Sequence, residues 1–261
     1  MYGTETVSRS EQSMERIEQI SSWLKEKNIS SAFIHSKENV FYLTGFYTEP
    51  HERLMGVFIF QDEEPFFVCP QMEAGQARAA GWAYEIIGYG DHQNPWELIS
   101  SALQKRNGQC LKVAVEKETL ALSRAEMLQA VTNGAELVSA EERLNQIRVI
   151  KDEKEISILR EAAKLADYGV EAGAAALKEG IAEIDVVFDL GVIIDGYCSD
   201  ITRTLVYQNV SEKQKEIYNT VLQAETEALK MSKPGVRIGD LDLKARGIIE
   251  KAGYGDYFPH R

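Results

Sequence analysis

The chain has 261 residues, 44% of them hydrophobic, enough for one large or two ordinary globular domains. Acidic residues (41) outnumber Lys and Arg (29), a formal net charge of −12, which argues against a nucleic acid or an anionic membrane as partner, since both attract basic surfaces. Three widely spaced cysteines, Cys69, Cys110 and Cys198, suit free thiols in a reducing compartment better than a disulfide scaffold. No apolar run approaches the roughly 18 residues that span a bilayer, and the polar stretch from Met1 to Ser13 lacks the apolar core of a signal peptide. A cytoplasmic protein is the simplest expectation.

In chain order, Ile17, Ile20, Trp23 and Leu24 have helical spacing within 14–27. Ala32-Phe33-Ile34 reads as a buried strand. Val57–Phe60 and Pro65–Cys69 flank the polar Gln61–Glu64, an antiparallel hairpin. Helices are expected over 72–81, 95–105 and 123–132, and strands over 112–115 and 136–138. Strands alternating with helices make this first half α/β, and it ends near residue 140. A long helix follows over 152–177, with an apolar stripe through Ile156, Leu159, Ala163, Ala166, Val170 and Ala174. Glu153, Glu155 and Glu161 fall on its polar side and read as solvated. Ser211-Glu212-Lys213-Gln214 is a capping-box pattern that opens a helix to about Met231, Pro234-Gly235 breaks it, and 240–251 forms another.

The stretch from Phe188 to Thr204 carries the chemistry. Asp195-Gly196 is a two-residue hairpin turn signal between two apolar, β-branched runs. With that turn, Ile194 faces Tyr197 and Asp189 faces Thr202. Strand alternation then puts Asp189, Gly191, Ile193, Cys198, Asp200, Thr202 and Thr204 on one face. Leu190, Val192, Ile194, Ile201 and Leu205 lie on the other, which looks like core. Asp189 and Asp200 become diagonal neighbours about 7–8 Å apart. Two carboxylates this close repel unless a cation sits between them, and their oxygens suit hard divalent ions. The plainer alternative is two solvated acids on an exposed sheet face. Of the remaining candidates, His35, His51 and His92 have no partner at metal-ligand spacing, and Cys198 has no nearby histidine to activate it.

Phe188-Asp189-Leu190-Gly191 followed by Asp195-Gly196-Tyr197-Cys198-Ser199-Asp200-Ile201-Thr202-Arg203-Thr204 resembles the Xaa-Pro dipeptidase (prolidase)/aminopeptidase P branch of the creatinase/methionine aminopeptidase family, the "pita-bread" metallopeptidases. Glu38–Phe46, Arg148–Ile156 and Tyr254–Arg261 resemble further segments of that family. The resemblance implies a creatinase-type amino-terminal α/β domain over 1–140 and a pita-bread metallopeptidase domain over 141–261, an α/β (α+β) protein. It implies two divalent ions, manganese first, with cobalt, zinc or iron as alternatives. Asp189 would chelate one ion and Asp200 would bridge both. The reaction would be hydrolysis of the bond preceding proline in a dipeptide or short peptide, in a homodimer. His260 matches a position near the site that binds no metal, so a catalytic or substrate-lining role falls to it.

The family's metal-binding histidine would fall beyond Arg261, and two glutamate ligands farther still, so the chain carries two of five ligands. A second gap is expected internally. Gly180–Val187 resembles the start of a family helix, yet runs straight into the strand at Phe188, where the family has a few dozen more residues. The alternative function is therefore a non-catalytic binding or scaffold protein of the same fold, without a complete metal site.

Overall fold

A computed structural model describes residues 9–106, 110–177, 186–206 and 209–258. The chain divides into two compact units, Met1–Ser157 and Ile158–Arg261.

The first unit runs α1 (Arg9–Lys27), β1 (Ser31–Ile34), α2 (Lys37–Thr44), β2 (Gly56–Phe60), β3 (Phe66–Pro70), α3 (Ala74–Ala79), β4 (Glu85–Tyr89), α4 (Pro95–Lys105), β5 (Lys112–Val115), α5 (Leu122–Val131), β6 (Glu136–Ser139) and α6 (Glu141–Val149). Its strands form one mixed sheet in the order β4-β3-β2-β1-β5-β6. β1, β2 and β3 pair antiparallel in succession, while β1–β5, β3–β4 and β5–β6 are parallel. Every residue of β1, β2 and β3 is buried, because helices cover both faces. That explains why these strands read as continuous apolar runs rather than as alternation.

One face of the sheet packs Ile20 and Leu24 of α1, Val40 and Leu43 of α2, and Leu144 of α6 into a shared core. The other face buries Trp96, Ile99 and Leu103 of α4 and Leu128 of α5. There the rings of Phe33, Phe58 and Phe66 stack in a row at 4.6 and 4.7 Å. α2 is fixed at both ends. The Ser36 side chain accepts from the Asn39 N–H, and Gly45, at φ 72°, closes the C-terminus.

β4 and α6 are absent from the sequence reading. β4 is an edge strand with a glycine at its fourth position and mostly half-buried residues, so it lacks a period-2 pattern. α6 buries only Leu144 and Ile147 among polar neighbours, too few positions to reveal a helical stripe.

α7 (Glu153–Ala176) begins in the first unit and continues into the second. The second unit adds β7 (Val186–Leu190), β8 (Ile193–Ile194), β9 (Tyr197–Cys198), β10 (Ile201–Leu205), α8 (Glu212–Met231) and α9 (Ile238–Lys251). The expected capping box at Ser211 and Gln214 is present, with both reciprocal bonds made. Of the segment resembling the start of a family helix, Val186 and Val187 belong to β7, opposite Leu205 and Thr204; its other residues lie outside those described. Among the described residues, no helix is long and apolar enough to cross a membrane.

Candidate functional site

The second unit's hairpin is built by its turn. Asp195 and Gly196 both have positive φ, 47° and 80°, which matches the primed turn that follows the right-handed twist of paired strands. The register runs from Ile194↔Tyr197 and Ile193↔Cys198 to Leu190↔Ile201 and Asp189↔Thr202 without a slip. The pairing expected from the sequence, Ile194 with Tyr197 and Asp189 with Thr202, is therefore the one found.

Alternation splits it into two faces. Asp189, Gly191, Ile193, Cys198, Asp200 and Thr202 are exposed, while Phe188, Leu190, Val192, Ile194, Ser199 and Ile201 are half-buried. Thr204, expected on the exposed face, is half-buried. The inner face lies on α7. A Cβ at Gly173 would sit 2.5 Å from the Phe188 ring, and one at Gly169 would lie 3.3 Å from Leu190, so the two glycines let the helix and strand approach closely. Ser199 Oγ donates to the Ala162 carbonyl at 3.1 Å and accepts from the Val192 N–H at 3.1 Å. That one hydroxyl ties both hairpin arms to the helix.

On the outer face, Asp189 Oδ1 accepts from Thr202 Oγ1 at 2.9 Å. Asp200 lies between β9 and β10, close to Gly191, which has no side chain. Neither Asp189 nor Asp200 forms an ion pair with a described residue; the adjacent Arg203 donates instead to the Thr202 carbonyl at 2.8 Å. Along β10 an open groove of about 1260 Å³ is lined by Asp200, Ile201 and Leu205 of the hairpin, Ala166 of α7, and Tyr218 and Leu222 of α8.

Two carboxylates on one face, with no cationic partner among the described residues, fit as hard oxygen donors to a divalent ion. They fit only as part of a donor set, because among the described residues no group of three His, Cys, Asp or Glu is placed to hold a metal. His260 lies outside the described residues. Cys198 is exposed on the same face as the two acids. In the first unit, His51 and His92 are exposed and join no metal-binding group.

A cluster that the sequence did not reveal lies at the end of β5. Glu116 is only 3% exposed. Its carboxylate accepts from the backbone N–H groups of His35 (2.6 Å) and Ser36 (2.8 Å), from Ser36 Oγ, and from Asn39 Nδ2 (2.6 Å). His35 Nδ1 lies 3.2 Å from the same carboxylate, off the hydrogen-bonding line. Burial pushes the carboxyl upward, but these donors together outweigh it and hold the pKa at about 2. The partners are 77 to 81 residues away in sequence, so no local pattern announces them.

Glu155 also departs from expectation. It is 4% exposed rather than solvated. It faces Arg16 at 3.3 Å and exchanges hydrogen bonds with Asp152: the Asp152 N–H donates to Glu155 Oε2, and the Glu155 N–H donates to Asp152 Oδ1. The Asp-x-x-Glu spacing ahead of an apolar run was the available signal.

Comparison with known proteins sets this geometry in a family. Residues 16–150 match the Creatinase/Prolidase N-terminal domain, and residues 185–261 match Metallopeptidase family M24. A putative dipeptidase of Bacillus subtilis, YkvY, is 60% identical over 294 positions, covering 95% of this chain and 81% of the relative. Since 95% of 261 residues is about 248, about 46 of those positions have no counterpart here. Among solved structures, the prolidase from Pyrococcus horikoshii OT3 is 27% identical with a TM-score of 0.81, covering 94% of this chain and 80% of that one. A Xaa-Pro dipeptidase from Bacillus anthracis is 25% identical with a TM-score of 0.84, covering 95% and 80%. The chain belongs to metallopeptidase family M24, joined to a creatinase/prolidase-type amino-terminal domain, and is a peptidase of that family.

Proposed function

We propose that this protein hydrolyses, with divalent metal, the peptide bond preceding proline in dipeptides or short peptides. The observation that carries the reading is the pair Asp189 and Asp200, two carboxylates without a cationic partner among the described residues, on one face of a hairpin whose register is fixed by its turn. The names of the relatives, dipeptidase and Xaa-Pro dipeptidase, supply the substrate class. In this reading 1–140 is the creatinase-type domain and 141–261 the metallopeptidase domain. Asp189 and Asp200 hold the ions, and His260 lines the substrate pocket. Oxygen-rich ligation favours manganese over metals that prefer soft ligands. Such ions, when bound, supply Lewis acidity and a nucleophile active near neutral pH. The protein works in the cytoplasm as a homodimer.

A second reading, a non-catalytic binding protein of the same fold, is favoured by the lack of a third ligand near the two acids among the described residues. One assay separates the two: hydrolysis of Ala-Pro and Ala-Ala with added manganese. The dipeptidase reading expects turnover of Ala-Pro above Ala-Ala and its loss in Asp200→Asn. No turnover of either dipeptide by metal-loaded protein overturns it in favour of the second reading.

A further inference from the structure

We propose that Thr202 is a positioning residue for Asp189, its hydroxyl holding the carboxylate in the orientation in which it receives a divalent ion. The proposal rests on the reading of Asp189 as a metal ligand. Its basis is an asymmetry between the two acids. Both are exposed on the hairpin, yet among the described residues only Asp189 is held by a neighbour. Thr202 is its direct cross-strand partner. At that position side chains stand about 5 Å apart at Cβ, so the hydroxyl reaches Oδ1 at 2.9 Å without distortion of either strand.

The donor itself is stiff. Threonine branches at Cβ and has few χ1 choices in a strand, so the position of Oγ1 follows from the backbone register. The Asp195-Gly196 turn sets that register. The bond is also charge-assisted, with a neutral hydroxyl donating to a carboxylate. It takes up one acceptor site on Oδ1 and leaves Oδ2 without a partner among the described residues. Asp200 has no hydrogen-bond or ion-pair partner among the described residues. One acid is therefore fixed before an ion arrives, whereas the other is free to adjust to it. Partners that orient metal ligands in this way change affinity by about 10- to 100-fold when removed.

The test is a manganese titration, with free ion followed by its electron paramagnetic resonance signal, on the unaltered chain and on Thr202→Val, Thr202→Ser and Asp189→Asn. Valine keeps the branched shape and removes the donor. Thr202→Val is expected to weaken manganese binding about 10- to 100-fold, with the melting temperature of the metal-free protein unchanged, and Thr202→Ser to restore most of the affinity. Thr202→Val binding as tightly as the unaltered chain, while Asp189→Asn does not, overturns the positioning role alone. A lower metal-free melting temperature with unchanged affinity also overturns it, because that is the mark of a purely structural bond. If the unaltered chain takes up no manganese, or Asp189→Asn binds it equally well, both this role and the metal-ligand reading of Asp189 fall.

Discussion

Asn39 stands between two charges: its Nδ2 donates to Glu116 Oε1 at 2.6 Å, and its Oδ1 accepts from Arg148 Nη1 at 2.9 Å. The amide thereby joins the end of β5 to α6 through the N-terminal turn of α2. Glu116 is the centre of this arrangement, because it also takes the backbone N–H groups of His35 and Ser36 that precede α2.

Glu116→Gln is expected to destabilise the first unit by about 3 kcal/mol at pH 7, in line with the lowering of its pKa from 4.5 to about 2. The amide must turn an NH2 group toward N–H donors whichever way it is flipped. A carboxyl whose pKa is depressed on folding stabilises fully above its unfolded value and loses that contribution as pH falls through the folded one. The difference between parent and variant should therefore be constant above about pH 5 and shrink between about pH 4.5 and 2. Urea unfolding at pH 7 and pH 3 measures it. A difference that stays the same at both pH values would contradict the assignment.

Arg16→Met is expected to cost about 3 kcal/mol, because it removes the Arg16 guanidinium that lies 3.3 Å from Glu155, a carboxylate buried at 4% exposure. Arg16 also donates to the Tyr42 carbonyl at 2.8 Å and lies over the Tyr42 ring at 3.8 Å. The double variant Arg16→Met with Glu155→Gln should recover part of the loss, since the buried carboxylate charge that Arg16 faced is gone. Urea unfolding of the four proteins of this cycle checks it, and a double variant no more stable than the single one would count against the pair.

What the sequence showed and what it hid divide along sequence separation. The hairpin was readable because its turn dipeptide, alternation and register all lie within 17 residues, and a two-residue turn leaves no freedom in the pairing. The two acids followed from it. β1, β2 and β3 were readable as buried runs because both sheet faces are covered. Glu116 was not, since its ligands come from another strand end, and a glutamate beside Lys117 and Glu118 looks like an ordinary solvated charge. Glu155 lay between: its capping partner was visible three residues upstream, but Arg16 was not.

Two glycine-to-alanine changes should act in opposite directions. In α9, a Cβ at Gly247 meets nothing within 4 Å, so Gly247→Ala gains the helix propensity of alanine, about 1 kcal/mol. In α7 the same gain at Gly173 competes with a Cβ placed 2.5 Å from the Phe188 ring. Overpacking of this kind costs about 1–3 kcal/mol, so Gly173→Ala should be neutral to destabilising by about 2 kcal/mol. Thermal melts of both variants decide it. A rise in melting temperature for Gly173→Ala equal to that of Gly247→Ala would mean that the hairpin does not press on the helix as described.

Gly196→Val tests whether the turn sets the site. Gly196 has φ 80° and Asp195 φ 47°, and a β-branched side chain at positive φ costs about 1–2 kcal/mol. The loss should not stop at stability. The pairing of Asp189 with Thr202 and the shared face of Asp189 and Asp200 depend on the register, and a slip by one residue moves every side chain of one strand to the opposite face. Asp195→Asn keeps a residue that tolerates the left-handed region and should leave both stability and manganese binding near those of the parent. Gly196→Val should lower the melting temperature and weaken manganese binding together. Its binding at full strength despite a lowered melting temperature would show that the two acids keep their places without this turn.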